Sequence, residues 1–512
     1  MSKKEKIILV WYKRDLRISD HTPLSEALRL AKLKGIWVIA FYSFESRVVE
    51  APDFSLFHRQ FIEESLQCLS EWLQAIGLPL MIFERNISDV MKYILDCYDI
   101  EHIFSHEETG NAITYDRDIM MAKYLNIKKI LWTEYPTNGV VRRLRSRDDW
   151  SKIWSSRMIE PIVAPPEWQN WFSFRLISDT WQQGTVSRHI QKWWETEWQK
   201  TLATFLISRG KGYMWGMSRP IEGQNASSRI SPYLAYGCIS LKQVVQMTWI
   251  RIHDLKEKWD MRFLRGLQAF HSRLYWQSHF IQKLEDEPRL ETMNAVSLYD
   301  SIRSEYSDEL MSAIEQARTG IPFIDGIVRQ LQAIWWVNFR ARATLVSFVC
   351  CTCMQPWQGR FAHWLARLFT DYEPGIHYMQ LQMQSWTMGI NTIRIYNPTK
   401  QLYDKDSDGR FVDIYLPELS KLPKHLQAEP WKISQMESIE YDFVLGRDYP
   451  HPIIDIEVAN RKARVILYDM KRTIDPSEKT RIFEKHGSRK SPRKKSQKKD
   501  IQPINDTLLT LF

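Results

Sequence analysis

Residues 7–42 read IILVWYKRDLRISDHTPLSEALRLAKLKGIWVIAFY. A short apolar run gives way to a charged loop, then to a stretch with apolar side chains at helical spacing, then to a second apolar run. That order predicts strand, helix and strand, the unit of a parallel sheet. The alternation continues through PLMIF (79–83), HIFSH (102–106) and KKILW (128–132), with HRQFIEESLQCLSEWLQAIG (58–77) as a second amphipathic stretch. Residues 6–135 are therefore expected to form a doubly wound parallel α/β domain.

The pattern then changes. Residues 136–200 are loop-rich, basic and aromatic (EYPTNGVVRRLRSRDDW, then APPEWQNWF) and predict an interdomain connector with local structure. From 201 to 475 the strand signal almost vanishes, and segments such as RFLRGLQAFHSRLYWQSHFIQKLEDE and PFIDGIVRQLQAIWWVNFRARATLVSFVCC predict a mostly helical domain. Residues 476–512 form a basic tail, of which 486–505 are expected to be disordered because they offer almost no core-forming side chains.

A chain of 512 residues has room for two or three domains. Its 22 Trp and 13% aromatic content exceed what packing alone asks for, which suggests stacking or electron transfer. The net charge of +9 favours anionic partners such as nucleic acid. The six cysteines form no C-x-x-C pair and no His-Cys metal spacing, so no metal site is expected and a reduced, cytoplasmic compartment fits. The run CCTC at 350–353 lacks the four thiolates of an iron–sulfur cluster. The first residues lack the apolar stretch of a signal peptide, and no window has the length of a membrane span.

The string SSRISPYLAYG, from Ser227, sets Ser227, Ser228, Arg229, Ile230 and Ser231 before a helix. Hydroxyls, free N–H groups and a guanidinium at a helix start suit a pyrophosphate. The same residues also suit plain capping by Ser231, with Pro232 at the first helical position.

Five segments in order resemble the DNA photolyase and cryptochrome family: ILVWYKRDLRISDHTPL (8–24), SSRISPYLAYGCIS (227–240), RTGIPFIDGIVRQL (318–331), WVNFRARATLVSF (336–348) and IRIYNPTKQLYDKDSDGRFVDIYLPEL (393–419). The resemblance implies an N-terminal photolyase-type α/β antenna domain and a C-terminal helical domain that binds FAD. It also implies light-driven electron transfer from reduced flavin to a pyrimidine photoproduct flipped out of DNA, or alternatively blue-light signalling as in cryptochromes. By motif position, Tyr213 and the run 227–231 match the phosphate side of the flavin. Arg342 and Asp371 match an ion pair beside its ring, with Phe270, Tyr372 and Glu373 nearby. His377 falls where the flavin N5 is faced; it either titrates with the flavin near neutrality or is a hydrogen-bonded core side chain.

On the substrate side the resemblance implies Arg273, Trp276, Gln277, Phe339 and Arg340, with Trp276, Arg342, His377 and Trp386 as residues of the chemistry. Here the chain departs from its relatives. Arg273 stands where dimer-repair enzymes carry a carboxylate, and an Arg only donates hydrogen bonds. Phe339 and Ala343 replace an Asn and a Met. Of the three-Trp electron route only Trp357 is kept: Ile314 takes the surface position and Leu381 the one next to flavin. Trp335, Trp336, Trp364, Tyr378 and Trp386 are left as substitutes, Trp364 foremost with Trp357 for electron transfer. The string HEETGN at 106–111 occupies the region of a second, light-harvesting chromophore of unknown identity. The final LLTLF resembles peptides that dock on the sliding clamp, with Leu511 and Phe512 as anchors, on a basic tether suited to attracting DNA.

Overall fold

The computed structural model describes residues 4–167, 195–303 and 305–487. Five strands, β1 (Lys6–Trp11), β2 (Trp37–Ser43), β3 (Leu80–Phe83), β4 (Asp99–His106) and β5 (Leu131–Tyr135), form one sheet in the order β3-β2-β1-β4-β5. Every pairing is parallel. Alternation along β1 sends Ile8 and Val10 into one core and Ile7, Leu9 and Trp11 into another, so both faces are covered. That is what a doubly wound sheet requires.

Helix α1 (Thr22–Lys34) starts where His21 Nδ1 accepts the Leu24 N–H at 3.0 Å, and stops at Gly35 in the left-handed region with φ 66°. With Nδ1 so engaged, His21 donates its Nε2–H to Asp15 Oδ2 at 2.9 Å; His106, at the end of β4, shares the same oxygen through Nδ1 at 2.7 Å. The sequence offers no metal spacing, yet folding brings these three ligating side chains within 4.8 Å of one another. The carboxylate is already taken by both rings and Arg17 adds positive charge beside them, an environment poor for a cation. The cluster ties the loop after β1 to α1 and β4.

Among its described residues the expected connector holds helix α2 (Trp150–Ile159), and α3 (Glu195–Ile207) begins in its last residues and runs into the helical domain. Trp150 Nε1–H donates to Gly139 O at 2.9 Å and Trp154 Nε1–H to Ser278 Oγ at 3.1 Å, and both rings are buried. Aromatic residues that read as linker composition therefore fill core space between the two parts of the chain.

The helical domain is built around α4 (Met261–Asp286). Helix α5 (Phe339–Ser347) packs on helix α6 (Pro374–Gln384), which lies along α4, with α7 (Ile456–Thr473) and α8 (Pro476–His486) at the C-terminal end. Gly375 explains the Pro-Gly step that opens α6: a Cβ there would come within 2.5 Å of Ile281 Cα, so only glycine lets α6 close on α4. Helix α8 corrects the expected start of the tail. Asp475 caps it, Pro476 opens it, and His486 donates Nε2–H to Glu287 Oε2 at 2.6 Å from a fully buried position. Helix thus occupies residues expected to belong to the tail, up to His486. The basic run and the Leu511–Phe512 anchor lie outside the described residues, as does all of the expected disordered stretch beyond Gly487. No described helix is long and apolar enough to cross a membrane.

The two domains meet at Gly237, whose φ is +69° and where a Cβ would lie 2.3 Å from Arg14 O. Arg17 holds the same turn by donating to Gly237 O at 3.0 Å. Gly237→Ala is expected to cost about 2–4 kcal/mol in urea unfolding. Gly35→Ala, at a similar φ but facing open space, is expected to cost only about 1 kcal/mol.

Candidate functional site

A cavity of about 490 Å³ opens between α4, α5, the start of α6 and the segment 227–231. Tyr213, Ser227, Ser228, Ile230 and Ser231 line one end. Phe270, Arg273, Trp276 and Gln277 come from α4, Phe339 and Arg342 from α5, and Asp371, Tyr372, Glu373 and His377 from the start of α6 and the turn before it. The fold thus gathers residues that lie far apart in the sequence.

Its electrostatic centre is Asp371. One guanidinium nitrogen of Arg342 donates to both Asp371 oxygens, at 2.9 and 3.0 Å. Ser231 Oγ–H donates to Oδ2 at 2.8 Å. The Arg342 Nε–H goes to Val337 O at 3.0 Å, and the guanidinium sits 4.0 Å from the Phe369 ring centre. Ser231 is therefore not the helix cap: the short helix Ser231–Ala235 has Ile230 at that position, with no side-chain capping bond. Arg229, with φ +60°, turns the chain into this helix and stacks 4.0 Å from the ring centre of Trp336, a residue of the cavity wall, without lining the cavity itself.

Glu373 is buried, and desolvation pushes its carboxyl up to about 7 against the opposing pull of Arg14, which reaches it at 3.1 Å. His377 donates Nε2–H to Ala362 O at 3.0 Å, and burial pushes it down to about 4. Of the two readings of His377, the hydrogen-bonded core side chain is the one that its backbone partner and its burial fit.

The remaining expected residues fall in several places. Arg273 is exposed, Trp276 half-buried, and Phe339 50% exposed, so all three sit where the cavity meets solvent. Arg340 points elsewhere, 5.0 Å from the Tyr396 ring centre. Trp386 does not line the cavity: it follows α6 in the left-handed region with φ 66° and is buried in the domain core. Trp357 is buried, with its Nε1–H donated to Asn294 Oδ1 at 2.7 Å and its ring 6.3 Å from Tyr378. Trp364 packs 6.0 Å from Phe361. Ile314, expected at a surface position, is fully buried. Burial pushes the Cys351 thiol up to about 11 and those of Cys350 and Cys353 up as well, so the CCTC run is inert core.

A second, smaller cavity of about 100 Å³ lies at the C-terminal ends of β1 and β2, bounded by Glu45, Asp53, His58, Glu108, Asn111 and Arg117. Glu108 of the HEETGN string is buried and accepts from Arg117 at 2.5 Å, while Arg117 also reaches Glu45 at 3.0 Å. Sequence reasoning missed Arg14, Asp53 and His58. Only the charged KRDLR loop gave a signal, and only for Arg14.

The large cavity fits a flavin dinucleotide. Its walls are apolar (Phe270, Leu274, Val346, Leu381), the hydroxyls of Ser227, Ser228 and Ser231 and the Arg342–Asp371 pair line it as well, and Gln277 carries a buried Oε1 with no partner. Residues 8–143 match the family profile "DNA photolyase", and residues 270–468 match "FAD binding domain of DNA photolyase". The chain belongs to the DNA photolyase and cryptochrome family. It is 23% identical over 491 residues to a deoxyribodipyrimidine photo-lyase of Alkalihalophilus pseudofirmus, covering 90% of this chain and 98% of that one. It is 24% identical to a cryptochrome DASH of Gloeobacter violaceus, covering 88% and 93%. The crystal structure of a class III photolyase from Agrobacterium tumefaciens superposes with a TM-score of 0.78 at 21% identity, covering 92% of this chain and 99% of that one.

His377 gives this site a pH dependence. Its folded pKa lies below the unfolded value of 6.5, so protons bind the unfolded chain more tightly and stability is lost as pH falls from about 6.5 towards about 4. Between pH 7 and pH 5 this residue is expected to remove about 2 kcal/mol. His377→Gln, compared with the native protein by urea unfolding at both pH values, is expected to show that much less loss.

Proposed function

We propose that this protein is an FAD-dependent, light-driven DNA repair enzyme of the cytoplasm, which splits a pyrimidine photoproduct by electron transfer. The observation that carries the proposal is the Arg342–Asp371–Ser231 group inside a cavity whose rim presents Trp276 and Phe339 to solvent. FAD, when reduced and lit, supplies a one-electron donor.

The chain's own residues bind and orient. The hydroxyls of Ser227 and Ser228 and the N–H groups around them face the phosphate end, while the Ser231 hydroxyl is engaged by Asp371. Arg342 places positive charge where a reduced ring carries negative charge, and Asp371 holds that guanidinium in place. At the rim, Trp276 and Phe339 offer rings on which a base out of the stack can lie, and the net charge of +9 favours the DNA backbone. Arg273 donates to acceptors on the lesion.

One observation favours the second reading, a cryptochrome-like photoreceptor. Arg273 cannot accept the hydrogen bonds that a carboxylate at that position would take from a thymine edge. The smaller cavity, at about 100 Å³, is below the ordinary size of ligand pockets, and the buried Arg117–Glu108 pair is part of its wall. The proposal also includes a clamp contact through Leu511 and Phe512; a chain lacking its last five residues is expected to lose clamp in a pull-down, and equal retention would remove this part.

Reduced protein under blue light is expected to remove either a cyclobutane dimer or a (6-4) product from a single-stranded oligonucleotide, and to leave both intact in the dark. Flavin-loaded protein that leaves both lesions at the control rate in light would overturn repair in favour of the photoreceptor.

A further inference from the structure

Tyr372 lines both cavities and is part of the wall between them. Its phenol donates to Asp53 Oδ2 at 2.5 Å, across the boundary between the two domains. Asp53 is only 5% exposed, and the same oxygen accepts Asn111 Nδ2–H at 3.1 Å. The ring is held on both sides: His58 stacks on it at 5.8 Å with planes 13° apart, and His377 meets it edge-on at 5.2 Å. Tyr378 Oη lies 3.4 Å from the phenol oxygen, and Trp357 follows at 6.3 Å from the Tyr378 ring. Meanwhile Leu381 and Ile314 put no ring at their positions.

We infer that Tyr372 and Asp53 form a redox-active phenol–carboxylate pair that supplies one electron to the flavin when light excites the oxidised ring. The inference rests on the flavin reading above. In the step, the Tyr372 Oη–H bond breaks, the proton passes to Asp53 Oδ2 to give a carboxylic acid, and one electron goes to the flavin. Tyr372 is left as a neutral phenoxyl radical.

Two physical constraints favour this pair. A cation radical on this partly buried ring would carry a desolvation cost, whereas moving the proton to Asp53 leaves a neutral ring and a neutral acid. Burial, together with Tyr378 and Asp53, also raises the phenol well above its ordinary range, so the proton stays on oxygen until the electron leaves. Both neighbouring imidazoles are held neutral, His58 and His377 each at about 4, so neither opposes the hole with a positive charge.

The test uses flavin-loaded protein with oxidised flavin, followed by flash absorption and electron paramagnetic resonance. The native protein is expected to show a neutral tyrosyl radical that forms more slowly in D₂O. Compared at equal flavin content, Tyr372→Phe is expected to lose that signal and Tyr378→Phe to keep it. Asp53→Asn retains a hydrogen-bond acceptor but no base, and is expected to lose the radical; Asp53→Glu is expected to restore it. A signal from tryptophan alone, a tyrosyl radical that persists in Tyr372→Phe, or no slowing in D₂O would overturn the inference while leaving the flavin reading intact. Folded protein that takes up no flavin would overturn both.

Discussion

The large cavity depends on one buried carboxylate. Asp371 stands in the turn before α6, accepts two contacts from Arg342 of α5 and a third from Ser231, and so pins three separate parts of the chain around one point. An aspartate in such a place is tolerable only because every charge is met, and removing a partner from a buried pair costs about 3–5 kcal/mol. The same geometry that satisfies Asp371 also leaves the guanidinium beside the cavity. Structural necessity and electrostatic function coincide in this residue pair.

The α/β domain contributes more than an attachment. Its loop after β1 sends Arg14 to Glu373 and to Tyr372 O at 3.1 Å, and Arg17 to the turn at Gly237. Asp53 and His58 reach the ring of Tyr372 from the same side. Residues of the sheet domain thus back the wall of a cavity whose lining comes from the helices. That arrangement explains why Gly237 must be glycine: the approach of Arg14 leaves no space for a Cβ.

The fold was legible where periodicity is strong. The strand runs from IILVW to KKILW and the long amphipathic helices announce both domains, and ordered motifs name the family. The ends of elements were not. Pro476 and the charged residues after it read as tail because α8 is held through only two buried side chains, Ile482 in the core and His486 on Glu287, which leave little pattern in the sequence. Likewise Trp150 and Trp154 read as connector because their burial depends on partners more than a hundred residues away or on a backbone carbonyl. In the site, motif matching found the residues of α4, α5 and α6. It put Trp386 at the chemistry because spacing along a helix cannot show that the chain turns left-handed after Ser385, and it missed Asp53 because the contact with Tyr372 spans both domains.

The most direct measurement of the central claim is FAD retained by the purified chain, with affinity compared between the native protein and Asp371→Asn. The native chain is expected to hold FAD in equal proportion and to show a flavin spectrum. Asp371→Asn, which keeps size but loses the charge that positions Arg342, is expected to bind it about tenfold or more weakly, a loss of at least ~1.4 kcal/mol. Equal affinity in the two proteins would contradict the account, as would a folded native chain without flavin.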